Sequence, residues 1–377
     1  MVRTGISLSF LPRDAEHKVM KRLIALAPVL LLMGHVAKAD PWNDLVEAGR
    51  KEGKVVIMNS PDPVMKNEII PKFREKFGIQ IEAVFGDTGS LAERVKLERR
   101  SGINSVDVFM VGVGTALFQL QPEKMLAPLK PLLVLPEVTN GAKWKSGQLK
   151  FLDAEQQNIL VLFSNVDSFL IVNEEFVKPG EIKEARDLLN PKLKGKISTQ
   201  DPFGSGTGGD MAAYYYSQLG PEFVKHLYVD QQPALQKDRR QLMDLLARGV
   251  APICLTCKIE NATELLKDGF KIREIFALGD LKQRVTSSPF VLTYMEGAPH
   301  PKAAQVFINW MASKEALEIY SRGNRTATLR NDIDESFLDP NVVPKAGGRY
   351  FYASEGEWML TGRRENTRKA RDAIKGN

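Results

Sequence analysis

Short apolar runs alternate with amphipathic segments along most of the chain, and that alternation limits the folds open to it. Lys54-Val55-Val56-Ile57-Met58 reads as a buried strand ending at Asn59-Ser60-Pro61. Residues 64–77 then carry Ile69, Ile70, Phe73 and Phe77 at helical spacing, with Gly78 as the stop signal. Residues 79–85 form the next strand, 91–100 a helix and 106–111 a third strand. A second run follows, with strands over 159–164, 169–172, 197–199 and 251–255 and helices over 210–219 and 260–268. Residues 290–294 return to strand, and 301–321 reads as one long helix with Val306, Phe307, Trp310 and Leu317 inward. The tail after 340 is rich in Lys, Arg and Gly and reads as loosely packed helix and loop. Strands alternating with helices predict α/β architecture with largely parallel sheets.

The first apolar run, 23–33, is shorter than the ~20 residues a bilayer span needs. Lys21-Arg22 precede it and Ala37-Lys38-Ala39 follow it, the pattern of a secretory signal peptide cut before Asp40. Met20 directly precedes the basic pair and is the expected start, with 1–19 an over-extended reading frame. The leader also explains the charge. Six of the 52 Lys/Arg and two of the 46 Asp/Glu fall in residues 1–39, so the mature 338 residues carry +2 where the whole chain carries +6. Nucleic-acid binding requires a concentrated basic face, which is absent, and no nucleic-acid partner is expected.

Four strands end in small polar loops that open helices: 59–61, 86–90, 112–115 and 204–209. Helix N-termini present free N–H groups and partial positive charge, so such loops suit anions and polar ligands. Gly, Ser, Thr and Asp also serve as ordinary turn and cap residues. Four such loops in two α/β units nevertheless predict a ligand cleft beyond the strand ends.

Longer stretches resemble a known family. Trp42-Asn43-Asp44-Leu45-Val46-Glu47-Ala48-Gly49-Arg50-Lys51-Glu52-Gly53-Lys54-Val55-Val56 is similar to the mature opening of ferric-iron-type periplasmic solute-binding proteins of ABC importers. Gly89-Ser90-Leu91-Ala92-Glu93-Arg94 with Glu98, then Val106-Asp107-Val108-Phe109, resemble the helix and strand that follow in that family. Ala298-Pro299-His300-Pro301-Lys302-Ala303-Ala304 with Phe307, Trp310 and Ser313 resembles its late helix. The resemblance implies a two-lobed type II periplasmic binding fold, each lobe a mostly parallel sheet flanked by helices. Lobe one is expected at 40–162 plus 288–340, with the tail 341–377 lying on it. Lobe two is expected at 166–284, and the hinge at 163–165 and 285–290. It further implies a periplasmic monomer that delivers its solute to an inner-membrane permease, with no enzymatic activity and no cofactor.

The ligand is a separate question, because the sequence departs from the ferric pattern where iron would bind. Adjacent tyrosines are expected after the strand at 251–255, and Thr256-Cys257-Lys258 stands there. Some members of the family it resembles carry a His-Tyr pair after the first strand, and here that position reads Ser60-Pro61-Asp62. Tyr214-Tyr215-Tyr216 fall inside a helix, where neighbours point about 100° apart, so at most Tyr214 could reach a cleft. No metal site is therefore expected, and a small polar or anionic solute is favoured over ferric ion. Its candidate contacts on the first lobe are Ser60, Thr88, Gly89, Ser90 and Gly114. On the second they are Gly204, Ser205, Gly206, Thr207 and Tyr214. Arg239, Arg240 and Lys258 are candidates to pair with a carboxylate or phosphate.

Cys254 and Cys257 are the only cysteines. For an exported chain a local disulfide is the favoured reading, against a redox centre or a soft-metal site. In an extended strand, positions i and i+3 face opposite ways, so a disulfide requires the chain to turn between them. G-x-S-x-G, H-E-x-x-H and the phosphate-loop motif are all missing, which leaves no motif for a hydrolase or zinc enzyme.

Overall fold

The computed structural model describes residues 40–204, 207–345 and 347–376. The expected signal peptide over 1–39 and the candidates Ser205 and Gly206 lie outside the described residues. Residues up to Asp44 form one unit, in which Asp44 N–H donates to the Asp40 carbonyl at 3.1 Å and starts helix α1 (Pro41–Glu52). The rest of the chain forms a second unit, and all that follows concerns it.

The first sheet contains β1 (Lys54–Asn59), β2 (Gln80–Phe85), β3 (Val108–Val111), β4 (Leu126–Ala127), β5 (Lys150–Phe151) and β6 (Ile159–Val161). One late strand, β14 (Val291–Met295), inserts between β3 and β6, giving the order β2-β1-β3-β14-β6-β5 with β4 also on β14. Helices α2 (Ile70–Phe77) and α3 (Thr88–Arg100) make the crossovers β1–α2–β2 and β2–α3–β3, so β1 runs parallel to β2 and β3. β14 arrives by an extended crossing rather than a helical one, and it runs antiparallel to both β3 and β6. The sheet is therefore mixed, not mostly parallel as expected.

The second sheet holds β8 (Leu170–Asn173), β9 (Ile197–Gln200), β10 (Ala234–Gln236), β11 (Ile253–Cys254) and β12 (Ile272–Ile275), in the order β10-β9-β11-β8-β12. It too is mixed, with β9 parallel to β10 and β11 and β8 antiparallel to β11 and β12. Its main helices are α4 (Thr207–Lys225), interrupted at Gly220-Pro221, and α5 (Arg239–Ala247). Between the two sheets run β7 (Asn165–Asp167) and β13 (Arg284–Thr286), paired antiparallel, with β15 (Phe351–Tyr352) parallel on β13.

Each sheet has its own core. Around Phe73 the rings of Phe77, Phe307 and Trp310 lie at centroid distances of 5.0, 5.4 and 5.4 Å. The expected single helix over 301–321 is two: α6 (Pro301–Met311) and α7 (Lys314–Asn324). Ser313 caps the second by accepting from Ala316 N–H, which stops the first helix two residues after its last apolar turn. The second core gathers Phe169, Tyr214, Tyr215 and Phe223.

The C-terminal tail corrects another expectation. Helix α8 (Arg363–Lys375) packs along α4 on the second sheet rather than on the first. Its apolar content is small but correctly spaced. Ala370 is fully buried in the second core and Ile374, one turn later, packs against it beside Tyr216 and Leu219. Among the described residues no helix is long and apolar enough to cross a membrane.

Candidate functional site

A cleft of about 920 Å³ opens where strand ends of both sheets meet the β7–β13 crossing. That volume suits a small molecule rather than a bare ion. Its first wall is built by three strand ends. Asn59 closes β1 and turns the chain by accepting from Ser60 N–H at 2.8 Å. Asp87 caps α3, its Oδ1 accepting from both the N–H and the hydroxyl of Ser90 at 2.9 Å. Thr88 Oγ1 and Thr115 Oγ1 lie 3.4 Å apart, joining the α3 opening to the turn after β3.

The second wall is the opening of α4 and α5 and the turn after β11. Gly208 sits so close to β9 that a Cβ there would stand 2.5 Å from the Gln200 carbonyl oxygen, so only glycine fits. The chain can then start α4 directly at the cleft, with Thr207 and Asp210 in its first turn. Asp238 caps α5 by accepting from Arg240 N–H at 2.8 Å, and Arg239 reaches back to donate to Thr207 Oγ1 at 3.1 Å. Cys254 and Cys257 form a disulfide with Cα atoms 5.6 Å apart. It closes the turn that presents Lys258 to the cleft.

Lys258 Nζ meets Asp167 Oδ1 of β7 at 2.9 Å. Thr286 of β13 donates to the same oxygen at 3.2 Å, and Arg284 Nη1 stands 3.8 Å from the other. Burial opposes ionisation of Asp167, but the two cations outweigh it and hold the carboxyl below the usual carboxylate range. The floor of the cleft is thus an ionic cluster made by both crossing strands.

Of the residues expected from the sequence, Ser60, Thr88, Gly89, Gly114, Thr207, Arg239 and Lys258 line this one cleft. Ser90 does not, being spent on the α3 cap, and Gly204 lies back from it with its carbonyl accepting from Arg371. Arg240 points to solvent one residue past the cap. Tyr214 is a correction: it is fully buried in the second core, stacked with Phe169, and its hydroxyl donates to the Lys282 carbonyl. Sequence reasoning missed Asp167, Asp210, Arg284 and Arg363, all of which line the cleft. Asp210 directly follows the predicted loop at 204–209 and Asp167 falls between two predicted strands, but nothing local marks Arg284 or Arg363.

The donor set does not favour ferric ion. Among the described residues no group of three or more His, Cys, Asp or Glu could hold a metal. Tyr320 is the one tyrosine on the cleft wall, and its hydroxyl donates to Asp62. Burial pushes the phenols of Tyr214 and Tyr215 well above the usual tyrosine range, away from the tyrosinate form.

Known proteins place this architecture. The sequence profile of the bacterial extracellular solute-binding proteins matches residues 54–323. An uncharacterised protein of Haemophilus influenzae is 21% identical over 307 residues, covering 78% of this chain and 83% of its own. Iron-bound HitA from Pseudomonas aeruginosa is structurally similar, with a TM-score of 0.62 at 19% identity, over 85% of this chain and 99% of that one. AfuA from Actinobacillus pleuropneumoniae, with fructose-6-phosphate bound, gives a TM-score of 0.64 at 17% identity, over 86% and 99%. These likenesses show the type II periplasmic binding protein fold. The profile match spans most of the chain, both sheets and both crossings, and on that ground the chain belongs to the family of bacterial extracellular solute-binding proteins.

Proposed function

We propose that the protein captures a small anionic solute in the cleft and delivers it to an ABC import permease of the inner membrane. The observation that carries the reading is Arg239. It lines the cleft, holds only a hydroxyl, and among the described residues has no carboxylate partner. It stands at the N-terminus of α5 and touches the N-terminus of α4, and α3 opens on the opposite wall. Three helix starts and an uncompensated guanidinium favour a carboxylate or phosphate. The hydroxyls of Ser60, Thr88 and Thr207 supply further polar contacts. The first sheet and its helices act as one lobe and the second sheet as the other. Closure turns on β7 and β13, near the hinge positions expected from the sequence. The leader over 1–39 directs the chain to the periplasm, where it works as a monomer.

The test is a thermal-shift screen followed by calorimetry. The panel contains inorganic phosphate, sugar phosphates, di- and tricarboxylates, the matching neutral sugars, and ferric salt with and without citrate. A ligand that binds only the folded protein raises its melting temperature. At least one organic or inorganic anion is expected to do so, and its neutral counterpart is not. Tight ferric binding with a tyrosinate charge-transfer band, and no response to anions, would overturn the reading.

A further inference from the structure

The C-terminal helix does more than cover the second core. Arg371 of α8 donates from Nε to the Pro202 carbonyl at 2.9 Å and from Nη2 to the Gly204 carbonyl at 2.8 Å. The helix is thereby fastened to the loop that leads into α4. Its first residue, Arg363, turns into the cleft. Arg363 Nε donates to Asp210 Oδ1 at 2.7 Å, and Nη2 lies 2.6 Å from the same oxygen. One edge of the guanidinium is therefore spent on Asp210. The remaining nitrogen, Nη1, has no hydrogen-bond partner among the described residues.

Nη1 instead faces Gly114, on the turn after β3 of the other sheet. A Cβ at Gly114 would stand 2.4 Å from it, so the absence of a side chain there is what leaves room for the guanidinium. Asp210 lies in the first turn of α4, and its Oδ1 holds both Nε and Nη2 of Arg363. It therefore serves as a lasting anchor that aims the arginine. Arg239 touches Thr207 of the same first turn. Two guanidinium groups thus flank one helix start, and one of them comes from beyond residue 323, where the family profile ends.

We propose that Arg363 is a second anion-binding residue of the cleft, aimed by Asp210, given space by Gly114, and taking the oxyanion of the solute together with Arg239. The inference rests on the anionic-solute reading, and it adds a specificity-determining group supplied by the C-terminal arm. An arginine already half neutralised discriminates by geometry more than by charge. Nη1 rewards an oxyanion lying between the α4 start and the Gly114 turn, and offers nothing to a neutral group in that place.

The purified protein is titrated calorimetrically with inorganic phosphate, fructose 6-phosphate, citrate and fructose, alongside Arg363→Gln, Arg363→Lys and Arg239→Gln. The expected result is that Arg363→Gln weakens the tightest anion about tenfold or more, as loss of a hydrogen bond to a charged group does. Arg363→Lys keeps the charge but not the fork and should fall between wild type and Arg363→Gln. Should Arg363→Gln melt far below wild type, Arg363→Lys decides, and wild-type affinity in it overturns the proposal. If Arg363→Gln binds within about twofold of wild type while Arg239→Gln loses about tenfold, the proposal fails and the anionic-solute reading stands. If wild type binds none of the three anions, both fall together.

Discussion

Lys258 Nζ and Asp167 Oδ1 form a 2.9 Å ion pair that ties the turn after the disulfide to the crossing strand β7. The pair is mostly shielded, with side-chain exposures of 23% and 13%. Both residues line the cleft, so the crossing strand contributes charge to its floor.

Removing the carboxylate should be costly. Asp167→Asn leaves Lys258 and Arg284 without their counter-charge, and the expected loss is about 3 kcal/mol in urea unfolding. The pH dependence follows from the lowered carboxyl. Its stabilisation is complete above the unfolded value of about 3.9 and is lost as pH falls through the lower folded value. Wild type should therefore lose stability with acid more steeply than Asp167→Asn. Parallel acid slopes would show that Asp167 carries no linkage.

The disulfide should stabilise the protein modestly. The ring closed by Cys254 and Cys257 is short, and the loop-entropy relation gives about 2 kcal/mol for it. Dithiothreitol should lower the melting temperature of wild type and leave the Cys254→Ser/Cys257→Ser double variant unmoved. A wild type insensitive to reductant, with reagent-accessible thiols absent before and present after treatment, would mean the bond adds no stability.

Arg239→Gln should weaken the best anion of the panel by about 10- to 100-fold, the range for a charge-assisted hydrogen bond. The wild-type affinity should also fall with added salt, and that dependence should be shallower in the variant. The measurement is calorimetry at two ionic strengths, and equal affinities in the two proteins would remove Arg239 from the site.

Ferric salt should raise no visible tyrosinate band at neutral pH. Tyr214 and Tyr215 are held protonated by burial, and Tyr320 is committed to Asp62. Tyr320→Phe should accordingly leave solute binding near wild type. A strong visible band that disappears in Tyr320→Phe would make this tyrosine an iron ligand.

The strands and most helices were legible because each is a local event: an apolar run, a cap, a glycine stop. Ser60, Thr88 and Thr207 were legible for the same reason, since a strand followed by a small polar loop and a helix places those residues at a strand end. Tyr214 was misjudged because helical phase relative to the sheet is a tertiary property. Its ring faces Phe169 and Phe351, and neither relation is written near residue 214. Arg284 and Arg363 escaped because their partners, Asp167 and Asp210, are more than 100 residues away. The directions of β8 and β14 escaped too, because the choice between parallel and antiparallel depends on the route by which the chain returns.

The position of β14 also bears on how the chain is made. Until residue 295 has been synthesised, the first sheet exists as two fragments, β2-β1-β3 and β6-β5, with bare edges facing a missing strand. Pairings of such long sequence separation form slowly. The first sheet therefore cannot close until about three quarters of the chain has been made.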